Sequence, residues 1–321
     1  MDEIRIEGVR LSSPEKVLFP DQGITKRRLA EYYVAVAAAI LPHLRHRPVS
    51  LLRCPQGEEK ACFFQRHPGA GLSGPIRSPG AGKPGGIRSI EIAEKDGRPA
   101  GYLVIDDLAG ILAAVQMGTL EFHIWGCRAD DVDQPDRMVF DLDPDTGLAF
   151  AKVRDAAFEL KALLDGLGLA SFPMLTGGKG IHLVLPLQLR QSWPDLKEFS
   201  HGVAEALVRR SPDRFTTNMR KDARGGKIFV DYLRNDRGST AVVPWSTRAH
   251  ARAPVAMPVS WDELAGATRS HAFTIEDAPN RLTMEPWAGY DTTGQSIGRA
   301  VARRLEEAEE RYIDRGYCTT E

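Results

Sequence analysis

The sequence predicts an α+β protein whose sheets are flanked by helices. Strand-like apolar runs stand at residues 49–53, 119–125, 138–145, 170–175, 181–187 and 228–235, and several alternate with the period of two that separates the faces of a strand. Apolar residues recur at helical spacing in 29–40, 108–117, 150–167 and 196–208. Clusters of Gly, Pro and Asp punctuate the two kinds of segment.

With 321 residues the chain can build one large or two medium domains with a sizeable core. Its 42% hydrophobic and 26% charged content is ordinary for a globular protein. No run of 18 apolar residues occurs and Met1-Asp2-Glu3 opens no signal peptide, so a cytoplasmic location without membrane association is expected. Cys54, Cys62, Cys127 and Cys318 show no C-x-x-C spacing and no companion His pair, so reduced, structural thiols are expected. The net charge of −1 removes the simplest argument for nucleic-acid binding, a globally basic chain. The charges are nevertheless segregated. Acids gather at 106–107 and 130–136 and bases at 26–28, 45–47 and 220–227, which allows a local polyanion site without requiring one.

Residues 4–19 begin strand-like and lead to the turn Asp21-Gln22-Gly23. Thr25 is a candidate N-cap for an amphipathic helix carrying Leu29, Tyr32, Tyr33, Val36 and Ile40 and running to Pro42. Lys26, Arg27 and Arg28 fall in its first turn, where cations oppose the positive end of the helix dipole. A bound phosphate, met by free backbone N–H groups and Lys, would relieve the conflict. Long side chains bending into solvent would relieve it too. After the strand ending in Arg53 comes Cys62-Phe63-Phe64-Gln65-Arg66. Neighbours on a strand face opposite sides, so at least one Phe should be buried. The other, near Arg53, Lys60 and Arg66, suits base stacking beside a phosphate path, although packing of both rings is the commoner use. Residues 69–100, rich in Gly and Pro, read as a long mobile loop with one hairpin around 87–92. In the strand T-L-E-F-H-I-W, His123 shares a face with Glu121; a lone strand His is more often structural than catalytic.

The stretch Met138-Val139-Phe140-Asp141-Leu142-Asp143-Pro144-Asp145 puts two acids on one strand face, roughly 7 Å apart, with Phe140 and Leu142 on the other. Acids on an apolar strand need a compensating cation, and Mg²⁺ and Mn²⁺ favour oxygen donors; acids facing water at a strand end are the plainer alternative. The strand 228–235 carries Asp231 in its apolar middle, and a third ligand for the same metal is the economical explanation. Thr176-Gly177-Gly178-Lys179-Gly180 lies between two strands. It is not a Walker A loop, but its glycines would let backbone N–H groups and Lys179 approach a triphosphate. A plain glycine hairpin is the alternative, and the hydroxyl and Lys favour the ligand. Arg220 to Lys227 reads as a flexible basic loop, and Arg234 and Arg248 add guanidinium groups. A last helix from Thr293 carries the i,i+4 pair Arg303 and Glu307, a solvated face.

Together F-D-L-D-P-D, T-G-G-K-G-I-H and I-F-V-D-Y-L-R-N resemble the polymerase domain of bacterial ATP-dependent DNA ligase D, a member of the archaeo-eukaryotic primase superfamily that works in non-homologous end joining. The likeness runs from about Val9 to Arg281. It implies a primase-like α+β fold, with central mixed and antiparallel sheets flanked by helices. It divides the chain into a polymerase domain at 1–285, with a 5′-phosphate site in 1–130 and a catalytic core in 131–260, and a C-terminal helix and tail at 286–321. Position by position, Asp141, Asp143 and Asp231 match the metal-binding triad. His123, Thr176, Lys179, His182, Arg234 and Arg248 match nucleotide-contacting positions, Thr176 standing where the family usually has Ser. Lys16 and Lys26 match the pair that holds a downstream 5′-phosphate, and Phe63 and Phe64 the aromatic pair that packs on template bases. The stretch around 83–97 and the loop from Arg220 resemble two mobile loops that help in end synapsis. The resemblance further implies two Mn²⁺ or Mg²⁺ ions, NTP or dNTP substrates with ribonucleotides preferred, and gapped or broken DNA bearing a 5′-phosphate. It also implies a ligase module, a Ku-type end-binding partner and a nucleoid-associated cytoplasmic setting. Glu94-Lys95-Asp96-Gly97 lacks the spacer of the K-x-D-G ligase nucleophile motif, so the chain reads as a polymerase alone or as part of a longer enzyme.

The expected reaction is nucleotidyl transfer by two metals. A metal-dependent phosphodiesterase and a non-catalytic DNA-end-binding module are the rivals. Neither needs a triphosphate cradle, and the Gly-rich Lys loop argues against both.

Overall fold

The computed structural model describes residues 3–69, 76–77, 86–94 and 96–314. The chain divides into two compact units. The first takes residues 1–132, 240–257 and 271–285, and the second takes 133–239, 258–270 and 286–321.

In the first unit a seven-stranded sheet runs in the order Thr240–Val242, Thr119–Trp125, Pro48–Arg53, Pro99–Ile105, Ile87–Ala93, Ile76–Arg77, with Phe63–Gln65 attached to Pro48–Arg53 alone. Its pairs are antiparallel except Ile76–Arg77 with Ile87–Ala93. The helix Lys26–Ala35 is capped by Thr25, whose Oγ1 accepts from Arg28 N at 3.2 Å. It stops at Val36 (φ −98°, ψ 9°), and a second helix, Ala37–Leu44, carries Pro42 within it. One helix ending at Pro42 was expected; the break falls earlier, and the chain stays helical past the proline. Tyr32 and Tyr33 are buried and donate or share hydrogen bonds with Trp245 O and Thr247 Oγ1, both at 2.8 Å. The helix Leu108–Gln116, capped by Asp107, buries Ile111, Leu112 and Val115.

The hairpin expected around 87–92 within the loop region is present and longer than expected, because Ile87–Ala93 pairs through seven residues with Pro99–Ile105. Residues 78–85 and 95 lie outside the described residues. The reduced-thiol expectation is corrected as well, since Cys54 is disulfide-bonded to Cys62. A spacing of eight residues spans the turn that returns Phe63–Gln65 onto Pro48–Arg53, which brings the two sulfurs together.

In the second unit a six-stranded sheet runs in the order Phe215–Thr216, Ile228–Asp231, Arg137–Pro144, Ile181–Pro186, Phe172–Leu175, Met257–Pro258. Arg137–Pro144 is antiparallel to both its neighbours. The helix Phe150–Gly166 lays Val153, Ala157, Leu160 and Leu164 onto the core, and Trp193–Arg210 adds Leu196, Val203 and Leu207. Phe140 and Leu142 are fully buried, and each large side chain contributes about 1.5–3 kcal/mol by leaving water. That burial fixes the pleat and so turns Asp141 and Asp143 to the other face. The final helix, Arg299–Asp314, starts later than Thr293, whose hydroxyl instead donates to Gly289 O at 2.6 Å. No helix among the described residues is long and apolar enough to cross a membrane.

Candidate functional site

In the second unit, Asp141 and Asp231 are direct cross-strand partners, and Asp143 sits two residues further along the same face as Asp141. The expected strand 228–235 is shorter than its apolar pattern suggests. Asp231 Oδ1 accepts from Leu233 N at 2.8 Å, and this turn ends the strand and starts a 3-10 turn at Leu233–Asn235. The same turn delivers two further groups. Arg234 places Nε 3.2 Å from Asp231 Oδ2 and donates through Nη2 to Asp141 Oδ2 at 3.4 Å. Asn235 is 1% exposed and binds the backbone of Val139 from both sides, donating to its O and accepting from its N, each at 2.8 Å. The amide thus acts as a substitute strand beside the residue two before Asp141.

Arg224 was missed by sequence reasoning, which read 220–227 as flexible. It is buried, and Nη1 donates to Asp143 Oδ2 at 2.8 Å. His182, opposite Asp141 on the next strand, is buried with Nε2 3.4 Å from Asp141 Oδ2, and its Nδ1 meets no hydrogen-bond partner. Burial, with Asp141 adding to it, pushes the Asp231 carboxyl above its usual value against the pull of Arg234. Burial works against the charge of Arg234, yet Asp141, Asp231 and Asp143 hold its guanidinium above the ordinary value.

The loop Thr176 to Gly180 is the hairpin between two paired strands. Thr176 is buried and its hydroxyl closes the loop, donating to Gly180 O at 3.0 Å and accepting from Gly178 N at 3.4 Å. Ser270 Oγ donates to Gly180 O at 2.6 Å. A Cβ on Gly180 would stand 2.6 Å from Leu142 O and 3.2 Å from Asp141 Oδ1, so only glycine lets the hairpin reach this close to the acidic strand. Lys179 is exposed at the hairpin's tip.

In the first unit, Glu121 joins His123, two residues on, to Arg248 and Ala249, 127 and 128 residues away. Its carboxylate is 3% exposed and accepts from His123 Nε2 at 2.7 Å, Arg248 Nε at 3.0 Å and Ala249 N at 2.8 Å. Burial opposes ionisation, but His123 and Arg248 prevail and hold its carboxyl down at about 2. The His123 ring packs edge-on against Phe64 at 5.2 Å between centroids. Contrary to expectation, neither Phe is buried: Phe63 is 48% and Phe64 54% exposed. Their strand has three residues and, among the described residues, pairs with Pro48–Arg53 alone, and about half of each side chain stays in solvent. The Arg53 guanidinium lies 5.3 Å from the Phe63 ring centroid.

Lys26 and Lys16 also lie in this unit. The first-turn N–H groups thought free for a phosphate are occupied: Lys26 N donates to Lys16 O at 2.8 Å, Arg27 N to Pro14 O at 2.9 Å and Arg28 N to Thr25 Oγ1. Arg27 pairs with Glu15 and Arg28 with Glu276, both at 2.5 Å. Lys26 is buried and pairs with no acid among the described residues; its Nζ donates to Ser12 O at 2.8 Å. Burial, then Lys16, lowers its pKa.

Among the described residues, no group of three or more His, Cys, Asp or Glu is drawn together tightly enough to hold a metal ion. The aspartates are instead engaged by arginines, Asp143 by Arg224 and Asp141 and Asp231 by Arg234. Three carboxylates face these two guanidinium groups, so the arginines do not balance the acids one for one. An all-oxygen donor set of this sign fits Mg²⁺ or Mn²⁺.

An α+β fold of this layout, with acids on paired strands beside a Gly-rich hairpin, belongs to the primase-like polymerases, which are nucleotidyltransferases. Residues 25–287 match the LigD primase-polymerase domain, and the chain belongs to that family. It is 38% identical over 302 residues to the multifunctional non-homologous end joining protein LigD of Pseudomonas aeruginosa, covering 93% of this chain and 34% of that protein. The bifunctional LigD of Bacillus subtilis is 29% identical over 284 residues, covering 88% of this chain and 44% of that one. The chain therefore spans between a third and a half of the length of these relatives. The polymerase domain of Mycobacterium tuberculosis ligase D in complex with DNA superposes with a TM-score of 0.77 at 28% identity, over 89% of this chain and 99% of that one. The expected primase-like fold is thereby shown.

Proposed function

We propose that this chain extends a DNA primer by template-directed nucleotidyl transfer, filling gaps and extending ends in non-homologous end joining, with ribonucleotides preferred. The cross-strand register of Asp141 with Asp231, with Asp143 on the same face, carries the reading. It puts three carboxylates on one face of the sheet, with two arginines to meet them.

In this reading Asp141, Asp143 and Asp231 hold two divalent cations, Mn²⁺ or Mg²⁺, which would stabilise the attacking and leaving oxygens of an in-line displacement. The primer 3′-oxygen bonds to the α-phosphorus, its proton passes to solvent, and the bond to pyrophosphate breaks. The protein's part is positioning and charge. In the second unit Lys179, His182 and Arg234 meet the triphosphate; in the first, Glu121 orients His123 and Arg248 for contact with the nucleotide. Thr176 serves the ribose end. Arg224 holds Asp143 through Oδ2, which fixes the carboxylate that would face a cation. Phe63 and Phe64 offer exposed rings for template bases, and Lys16 and Lys26 take the 5′-phosphate of the downstream strand. A ligase module and a Ku-type protein would be the partners, as the resemblance implies, and the relatives are named for end joining.

Substrate choice is tested by extending a labelled primer across a gapped duplex with Mn²⁺, supplying NTPs and dNTPs separately. Template-matched addition that is faster with NTPs is expected. Equal or faster use of dNTPs would contradict the ribonucleotide preference, and shortening of the primer would favour the phosphodiesterase.

A further inference from the structure

Two glutamines aim the lysines of the proposed 5′-phosphate site. Gln116, the last residue of the Leu108–Gln116 helix, reaches 104 residues back in sequence to Ser12. Its Nε2 donates to Ser12 Oγ at 2.7 Å, while its Oε1 accepts from Ser12 N at 3.0 Å and from Lys26 Nζ at 3.4 Å. Gln56 supplies a single acceptor to Lys16, whose Nζ donates to Gln56 Oε1 at 3.1 Å. Both ammonium groups are therefore met by neutral oxygens.

This choice of partner is informative for Lys26. It is 6% exposed, sits at the positive end of a helix and has Lys16 as a neighbouring charge. A stability-driven design would place a carboxylate beside it, as Arg27 and Arg28 have in Glu15 and Glu276. A neutral acceptor directs the ammonium while leaving its charge uncompensated, and an anion is then needed to complete it. The backbone cannot take over the task, because the first-turn N–H groups are already engaged. Gln116 also pins Ser12, next to Ser13 at φ +50°, from whose carbonyl the Lys16 N–H takes its bond at 3.1 Å. One amide thus sets both the direction of Lys26 and the turn that carries Lys16.

We infer that Gln116 is a positioning residue for recognition of the downstream 5′-phosphate, and that its neutrality is what the site requires. The inference rests on the proposed role of Lys16 and Lys26.

The test is binding of the whole chain to gapped duplexes whose downstream strand ends in a 5′-phosphate or a 5′-hydroxyl, compared as a ratio of affinities. Lys26→Ala serves as the reference for a lost site. Gln116→Glu keeps size and shape, so its carboxylate pairs with Lys26 and preserves the fold, and it is expected to bring the ratio down to that of Lys26→Ala. Gln116→Ala removes the acceptor and is expected to lower the ratio by roughly tenfold. A purely structural role predicts the opposite order, with Glu harmless and Ala harmful. Gln116→Glu retaining the wild-type ratio overturns the role of Gln116 while leaving the phosphate site standing. A wild-type ratio near one, unchanged by Lys26→Ala, overturns the phosphate site and the inference with it.

Discussion

Replacing Glu121 with Gln removes one charge from a buried cluster and leaves His123 and Arg248 without their counterion. The structure sets the magnitude. Folding moves the Glu121 carboxyl from an ordinary 4.5 to about 2, and at about 1.4 kcal/mol per pKa unit this corresponds to about 3 kcal/mol. The sign follows from the depressed folded value: the contribution is complete above the unfolded pKa and is lost as pH falls toward the folded one. Urea unfolding of wild type and Glu121→Gln should therefore differ by about 3 kcal/mol at neutral pH. The gap should shrink to roughly half near pH 3, because other carboxylates cancel in the difference. The amide also turns an N–H₂ toward donors that it cannot satisfy, so nucleotide affinity should fall with stability. A gap under about 1 kcal/mol at neutral pH, or one that stays constant down to pH 3, would refute the assignment of Glu121 as the organiser of His123 and Arg248.

Asn235→Ala strips two hydrogen bonds from the Val139 backbone in a buried place. A loss of about 2–4 kcal/mol in urea unfolding is expected, and a loss below about 1 kcal/mol would mean the strand does not depend on the amide. For the Cys54–Cys62 bond, thiol titration of unfolded protein purified without reductant should count two more thiols after reduction than before, and reduction should cost about 2–3 kcal/mol of stability. An equal count would restore the expectation of reduced thiols.

Local rules made much of this legible. Thr25 capping, the alternation that turns Asp141 and Asp143 to one face, and the oddity of Asp231 in an apolar strand all act within a few residues. That Asp231 belongs with Asp141 and Asp143 was expected, because a charge in a buried strand demands a partner, but the strand pairing that sets Asp231 opposite Asp141 was not. What escaped were partners supplied from far along the chain. Glu121 meets Arg248 across 127 residues, Arg224 meets Asp143 across 81 and Gln116 meets Ser12 across 104, and no periodicity encodes such pairings. The double Phe misled for a different reason: alternation assumes that one face of a strand is packed into the core, and on this three-residue strand both rings stay about half exposed. The break at Val36 has no Gly or Pro to announce it.

The central claim is that Asp141, Asp143 and Asp231 are the chemical centre of a primer-extending enzyme. Asp141→Ala should be compared with wild type for extension of a labelled primer on a short gapped duplex with Mn²⁺, with duplex binding followed in parallel. The account predicts that extension is lost while duplex binding persists, because Phe63, Phe64, Lys16 and Lys26 are untouched. Extension retained at the wild-type rate would contradict it and leave the three aspartates as structural residues.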